Sequence, residues 1–123
     1  MSLALLLGVA TAARAQQADP RVIRIAKIQV DPAQLPAYYA ALREQMQTAI
    51  RLEPGVLTYY AVADKKDAAQ ITILEIYADS TAYKAHITTP HFKKYKATVA
   101  GMVKKLELED VDLIDSAMKP QGK

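Results

Sequence analysis

The densest titratable chemistry in this 123-residue chain lies between Gln70 and Phe92, QITILEIYADSTAYKAHITTPHF. The chain has only two histidines, His86 and His91, and both stand here, shortly after Glu75. An imidazole takes up a proton near neutral pH. A carboxylate beside it can hold one tautomer and stabilise its cation. Tyrosines can hydrogen-bond a substrate oxygen and stack on a ring. Such a set suits removal of a proton from a hydroxyl, or from a carbon beside a carbonyl. A deprotonated quinol or enol gives an electron to dioxygen far more readily than the neutral form does. Isomerisation of a small carbonyl compound needs the same base and a donor to the enediolate. The residues alone leave both chemistries open.

His86 is the first choice as base, with Glu75 orienting it and His91 as a second hydrogen-bonding imidazole. Tyr59, Tyr77 and Phe92 are the candidate pocket-lining residues. Each has a structural alternative. His86 and His91 could cap helix ends, Glu75 could pair with Lys27 or a histidine, and the aromatic rings could simply pack the core. No metal site is expected, because His86 and His91 are five residues apart across a proline break and do not share one helical face.

The elements that position these groups follow from periodicity. Arg21 to Val30 alternates as a strand and ends at Asp31-Pro32. Gln34 to Arg51 is a helix, with Leu35, Tyr38, Tyr39, Leu42, Met46, Ala49 and Ile50 as its apolar stripe. Glu53-Pro54-Gly55 stops that helix and turns the chain. Val56 to Ala63 is a second strand, with Tyr59 on the face opposite Val56. Gln70 to Tyr77 is a third, its hairpin neighbour. It is apolar on both faces, so Glu75 needs a partner, a proton or a pocket. Asp79-Ser80 caps a short helix. Thr89-Pro90 opens a further helix running to Val103. The last strand carries Leu106 and Leu108 on one parity and Val111 and Leu113 on the other, which predicts a bulge near Glu109-Asp110.

The order β-α-β-β-α-β is that of an α+β, ferredoxin-like sandwich with an antiparallel sheet. Its helices cover one sheet face. Because the strands are apolar on both, the other face is expected to be buried in a homodimer, through the sheet face and the C-terminal strand.

Composition bounds the rest. A net charge of +3 with no continuous basic stripe argues against nucleic-acid binding. No cysteine means no disulfide, thiolate metal site or cysteine nucleophile. Residues 1–15 read as a signal peptide cleaved after Ala15, although no basic residue precedes Leu3–Val9. The mature protein is then periplasmic or secreted, with no membrane association. Residues 16–20 form a lead-in, 21–115 the domain and 116–123 a tail.

Three stretches resemble the antibiotic biosynthesis monooxygenase family of dimeric α/β barrels, its quinol-monooxygenase-like branch above all. They are Glu53-Pro54-Gly55-Val56-Leu57-x-Tyr59, Glu75-x-Tyr77-x-Asp79 and Ala85-His86-x-x-x-Pro90-His91-Phe92. The similarity runs from about Val22 to Ile114. It implies oxidation of a small quinol or phenol by dioxygen, without metal, flavin or other cofactor. Other branches isomerise a small carbonyl compound, degrade haem or have no established activity, so a non-catalytic, small-molecule-binding stress protein is a further reading. Haem-degrading members use an Asn and a Trp with a His, and this chain has no Asn and no Trp.

Overall fold

The computed structural model describes residues 19–121. The expected signal peptide and its cleavage site lie outside the described residues. Four strands are β1 (Val22–Val30), β2 (Val56–Ala63), β3 (Gln70–Tyr77) and β4 (Val103–Val111). Three helices are α1 (Leu35–Leu52), α2 (Ser80–His86) and α3 (Pro90–Val99). The strands form one antiparallel sheet in the order β2-β3-β1-β4. This is the ferredoxin-like α+β fold.

One sheet face packs against the helices. Ala26, Ile28 and Val30 of β1 and Ile71 and Ile73 of β3 meet Tyr38 and Leu42 of α1 and Val99 of α3. Strict alternation brings Arg24 and Glu75 onto the same face, directly opposite each other in the β1–β3 ladder. Lys27 lies on the other face, where it reaches Glu109 at 3.2 Å. A Lys27–Glu75 pair is therefore ruled out by parity.

Three local expectations need correction. β4 runs through Glu109 and Asp110 in unbroken register with β1, and the irregularity sits at the strand's start, opposite Gln29 and Val30. The change of pattern has a different cause. Asp110 stays on the helix-side face because it binds Arg24 (3.0 Å), while Val111 pairs with Ile23. Second, α3 ends at Val99, and Met102 N–H turns back to the Val99 carbonyl at 2.8 Å. Met102 then accepts from Asp31 N–H, so Val103 already belongs to the strand. Third, Val56 pairs with Tyr77 but Thr58 with Ile76, which makes Leu57 an extra residue. That bulge turns Val56 inward, onto the same face as Tyr59, and leaves Leu57 exposed.

The buried face of α1 is Tyr38, Leu42, Gln45 and Ala49. Ile50, expected on the stripe, is 48% exposed. The spacing 38, 42, 45, 49 is the true helical phase, and a glutamine occupies one of its positions.

Candidate active site

The site begins at the end of α1. Glu53 is the C-cap residue, its N–H bonded to the Ala49 carbonyl. Extended backbone there carries its side chain away from the helix. The turn that follows lies against α2 so closely that a Cβ on Gly55 would overlap the Ala82 methyl. Ala78 N–H closes the same junction on the Gly55 carbonyl at 2.9 Å. α2, started by the Asp79 side chain on Ala82 N–H, then delivers His86 beside Glu53.

His86 is fully buried. Its Nδ1–H donates to Glu53 Oε2 at 2.9 Å. With that proton on Nδ1, Nε2 is the acceptor, and Tyr59 O–H donates to it at 2.9 Å. Tyr59 in turn takes a hydrogen bond from the Gln45 amide at 3.3 Å. The Tyr59 and Tyr77 oxygens lie 3.3 Å apart, and Tyr77 donates to Glu75 Oε1 at 2.5 Å. Glu75 and His86 form no hydrogen bond. The carboxylate that orients His86 is Glu53, in the EPG turn, where the sequence suggested only a helix stop. Glu75 belongs to the far end of the same network.

His91 occupies the first turn of α3, behind Pro90 and the Thr89 cap. Its Nε2–H donates to the same Glu53 oxygen at 2.6 Å. The spacing argument against convergence fails because the two imidazoles stand on different helices. The break at Thr88–Thr89 folds α3 back on α2, with Thr89 Oγ1 on the His86 carbonyl at 2.7 Å. The three donor atoms lie within 4.8 Å of one another. Two imidazoles and a carboxylate form a set that could hold one transition-metal ion. In the present arrangement each nitrogen shares its proton with Glu53, and the set is hydrogen-bonded.

A cavity of about 320 Å³ adjoins this network. Ala26, Ile28, Leu42, Ile73 and Val99 supply apolar wall, and Arg24, Gln45, Tyr59, Glu75, His86 and Lys96 bring polar groups to the lining. Phe92 is in the wall and packs against His86, ring centroids 4.9 Å apart. Of the expected lining residues, Tyr59 and Phe92 face the cavity. Tyr77 is 1% exposed and absent from its wall, supporting Glu75 and Tyr59 from behind. His91 lines a separate groove between α1 and α3.

Burial raises the Glu75 carboxyl above its ordinary value, against the opposing pull of the Tyr77 hydrogen bond and of His86 and Arg24. Arg24 does not pair with it directly. Its guanidinium is held by Asp110 and lies 4.3 Å above the Tyr83 ring. Burial, first of all, also holds the Tyr59 and Tyr77 phenols well above the ordinary range, so both keep their protons.

Glu53 and Gln45 are the residues that sequence reasoning passed over. Gln45 falls on the phase 38, 42, 45, 49 of α1, which was its available signal, whereas Glu53 is the extended C-cap residue beyond the helix, where helical phase gives no signal.

The pattern of the antibiotic biosynthesis monooxygenase family matches residues 21–98. Among solved structures, a protein assigned to these monooxygenases from Bacteriodes thetaiotaomicron is 48% identical. The match covers 85% of this chain and all of that one, with a TM-score of 0.80. A protein assigned as a monooxygenase from Lactobacillus acidophilus is 29% identical over 76% of this chain and 44% of its own, with a TM-score of 0.74. One from Caulobacter crescentus, at 22% identity, 85% and 99% coverage and a TM-score of 0.74, shares the fold. No match was found among curated proteins.

Proposed function

Because the chain belongs to the antibiotic biosynthesis monooxygenase family, we propose that it is a cofactor-independent monooxygenase oxidising a small quinol or phenol with dioxygen. The observation that carries this reading is the Glu53–His86–Tyr59 relay ending at an apolar cavity. His86 is the base and acts through Tyr59. The substrate hydroxyl donates to the Tyr59 oxygen, Tyr59 passes its own proton to His86 Nε2, and Glu53 stabilises the resulting imidazolium. Tyr59 never exists as a free phenolate, in line with its raised pKa. Glu75 keeps its proton more readily than an exposed carboxylate and donates to a second substrate oxygen.

The electrons come from the substrate. Its anion gives one electron to dioxygen, and radical recombination forms a carbon–oxygen bond as a hydroperoxide. Loss of water leaves a carbonyl at that carbon. For a hydroquinone the sum is hydroquinone plus dioxygen to hydroxyquinone plus water, with no outside reductant. Apolar walls favour dioxygen and the ring, and exclude water from the reactive anion.

A purely structural or binding role for the pair would be favoured if Glu75 and His86 neutralised each other. They do not, and polar groups remain on the cavity wall. The same reading takes the protein as an exported homodimer. Leu106 and Leu108, both on the cavity rim, are 42% and 53% exposed, and a second copy over this edge would close the site.

The test is dioxygen uptake by chelator-treated protein over a panel of hydroquinones and phenols. Uptake above the autoxidation blank that drops at least about tenfold in His86→Ala supports the oxygenase and its base. No uptake on any substrate rejects the oxygenase and favours proton transfer on a small carbonyl compound.

A further inference from the structure

Glu53 Oε2 receives two imidazole protons, from His86 Nδ1 at 2.9 Å and from His91 Nε2 at 2.6 Å. The three atoms come from three places in the fold: the cap of α1, the end of α2 and the first turn of α3. All lie within 4.8 Å of one another. A carboxylate gripping two imidazoles in this way is a metal-ligand set with protons where an ion belongs. Access comes from the groove between α1 and α3. His91 lines it, and the His91 and Glu53 side chains are 14% and 13% exposed. His86 is the inner, buried ligand, and an ion meets its Nδ1 after passing the other two. Water from the groove completes the coordination.

We propose that Glu53, His86 and His91 form a regulatory Zn(II) site whose occupation switches the relay off. The ion takes the Nδ1 side of His86. The substrate cavity is reached through the Nε2 side, where Tyr59 donates, and neither Glu53 nor His91 is in the cavity wall. The ion therefore touches no substrate, yet it controls the base. A neutral imidazole carries one proton. With Nδ1 on the metal, that proton moves to Nε2, which then donates and no longer accepts. Tyr59 loses its acceptor and turns its O–H to the Tyr77 oxygen, 3.3 Å away. Glu53 is committed to the ion as well. The consequence for turnover rests on the relay proposed above, whereas the site and the tautomer change do not.

The experiment reads binding, tautomer and turnover separately. Untagged, chelator-treated protein is titrated with Zn(II) against a chromophoric chelator. Wild type should take up about one ion per chain, and His91→Ala should bind it at least about 100-fold more weakly. His91→Gln serves the same purpose if the Ala variant does not fold. Nitrogen-15 NMR of the imidazole rings should show His86 change from the Nδ1–H to the Nε2–H form as Zn(II) is added. Saturating Zn(II) should lower dioxygen uptake on a quinol at least about tenfold, and excess chelator should restore it. The proposal is overturned if no ion binds, if His91→Ala binds as tightly as wild type, or if the His86 tautomer is unchanged in the zinc-bound protein. Uptake that persists at saturating Zn(II) also overturns the switch and leaves the oxygenase standing. No uptake with or without the ion rejects the oxygenase, while one-to-one binding with the tautomer change still upholds the site.

Discussion

Glu53 and His86, thirty-three residues apart in sequence, are joined by a 2.9 Å hydrogen bond from Nδ1 to a carboxylate oxygen. The contact fixes the tautomer of a fully buried imidazole and leaves Nε2 to accept from Tyr59. Every functional expectation for this protein passes through that pair.

Glu53→Gln keeps the shape and removes the charge that an imidazolium would need. Activity on a quinol should fall by at least about tenfold, chiefly in kcat, with KM little changed. Steady-state dioxygen uptake checks it. An unchanged kcat would remove Glu53 from the relay.

Tyr59→Phe takes away the hydroxyl that donates to His86 Nε2, together with the acceptor for Gln45. Turnover should fall by about 100-fold or more, while the fold survives because the ring still packs. Circular dichroism and oxygen uptake on one preparation separate the two effects.

Glu75 gives a pH signature with a definite sign. Its folded-state pKa is raised above the ordinary 4.5, so the native state holds this proton more tightly than the unfolded chain. Its contribution to stability is complete below that ordinary value and is lost as pH rises through the folded one. Glu75→Gln has no proton to lose. Relative to wild type, its stability should improve from pH 4 toward pH 8. Denaturant unfolding across that range tests this, and parallel curves would refute it.

Gly55→Ala drives a methyl into Ala82. The expected cost is about 1–3 kcal/mol, with loss of activity as α2 carries His86 away from Glu53. Ala82→Gly in the same chain should restore both. Failure of this rescue would show that the turn, and not the α2 contact, is what the substitution damages.

Light scattering on the mature chain should give two subunits. A stable monomer with full activity would overturn the homodimer, since the rim at Leu106 and Leu108 would then work while bare.

Much of this was legible in the chain because its causes are local. Period-two alternation in Val22–Val30 and Gln70–Tyr77, the helical stripe through Tyr38 and Leu42, and the Thr89-Pro90 cap each act within a few residues, and together they determine the order of elements and the ferredoxin-like fold. The titratable cast was visible too, because two histidines and one strand carboxylate are conspicuous by type. Their partnerships were not. Which carboxylate meets His86 depends on how α2 docks against the Gly55 turn, a contact between segments far apart in sequence. The bulge at Leu57 shifts one parity by a residue, and pairing with Tyr77 and Ile76 decides it, since no residue type at Leu57 demands it. The cavity, the raised Glu75 and the orphaned Gln45 carbonyl arise only when helices close over the sheet. Desolvation and hydrogen-bond satisfaction are properties of the packed interior, and a linear pattern does not contain them.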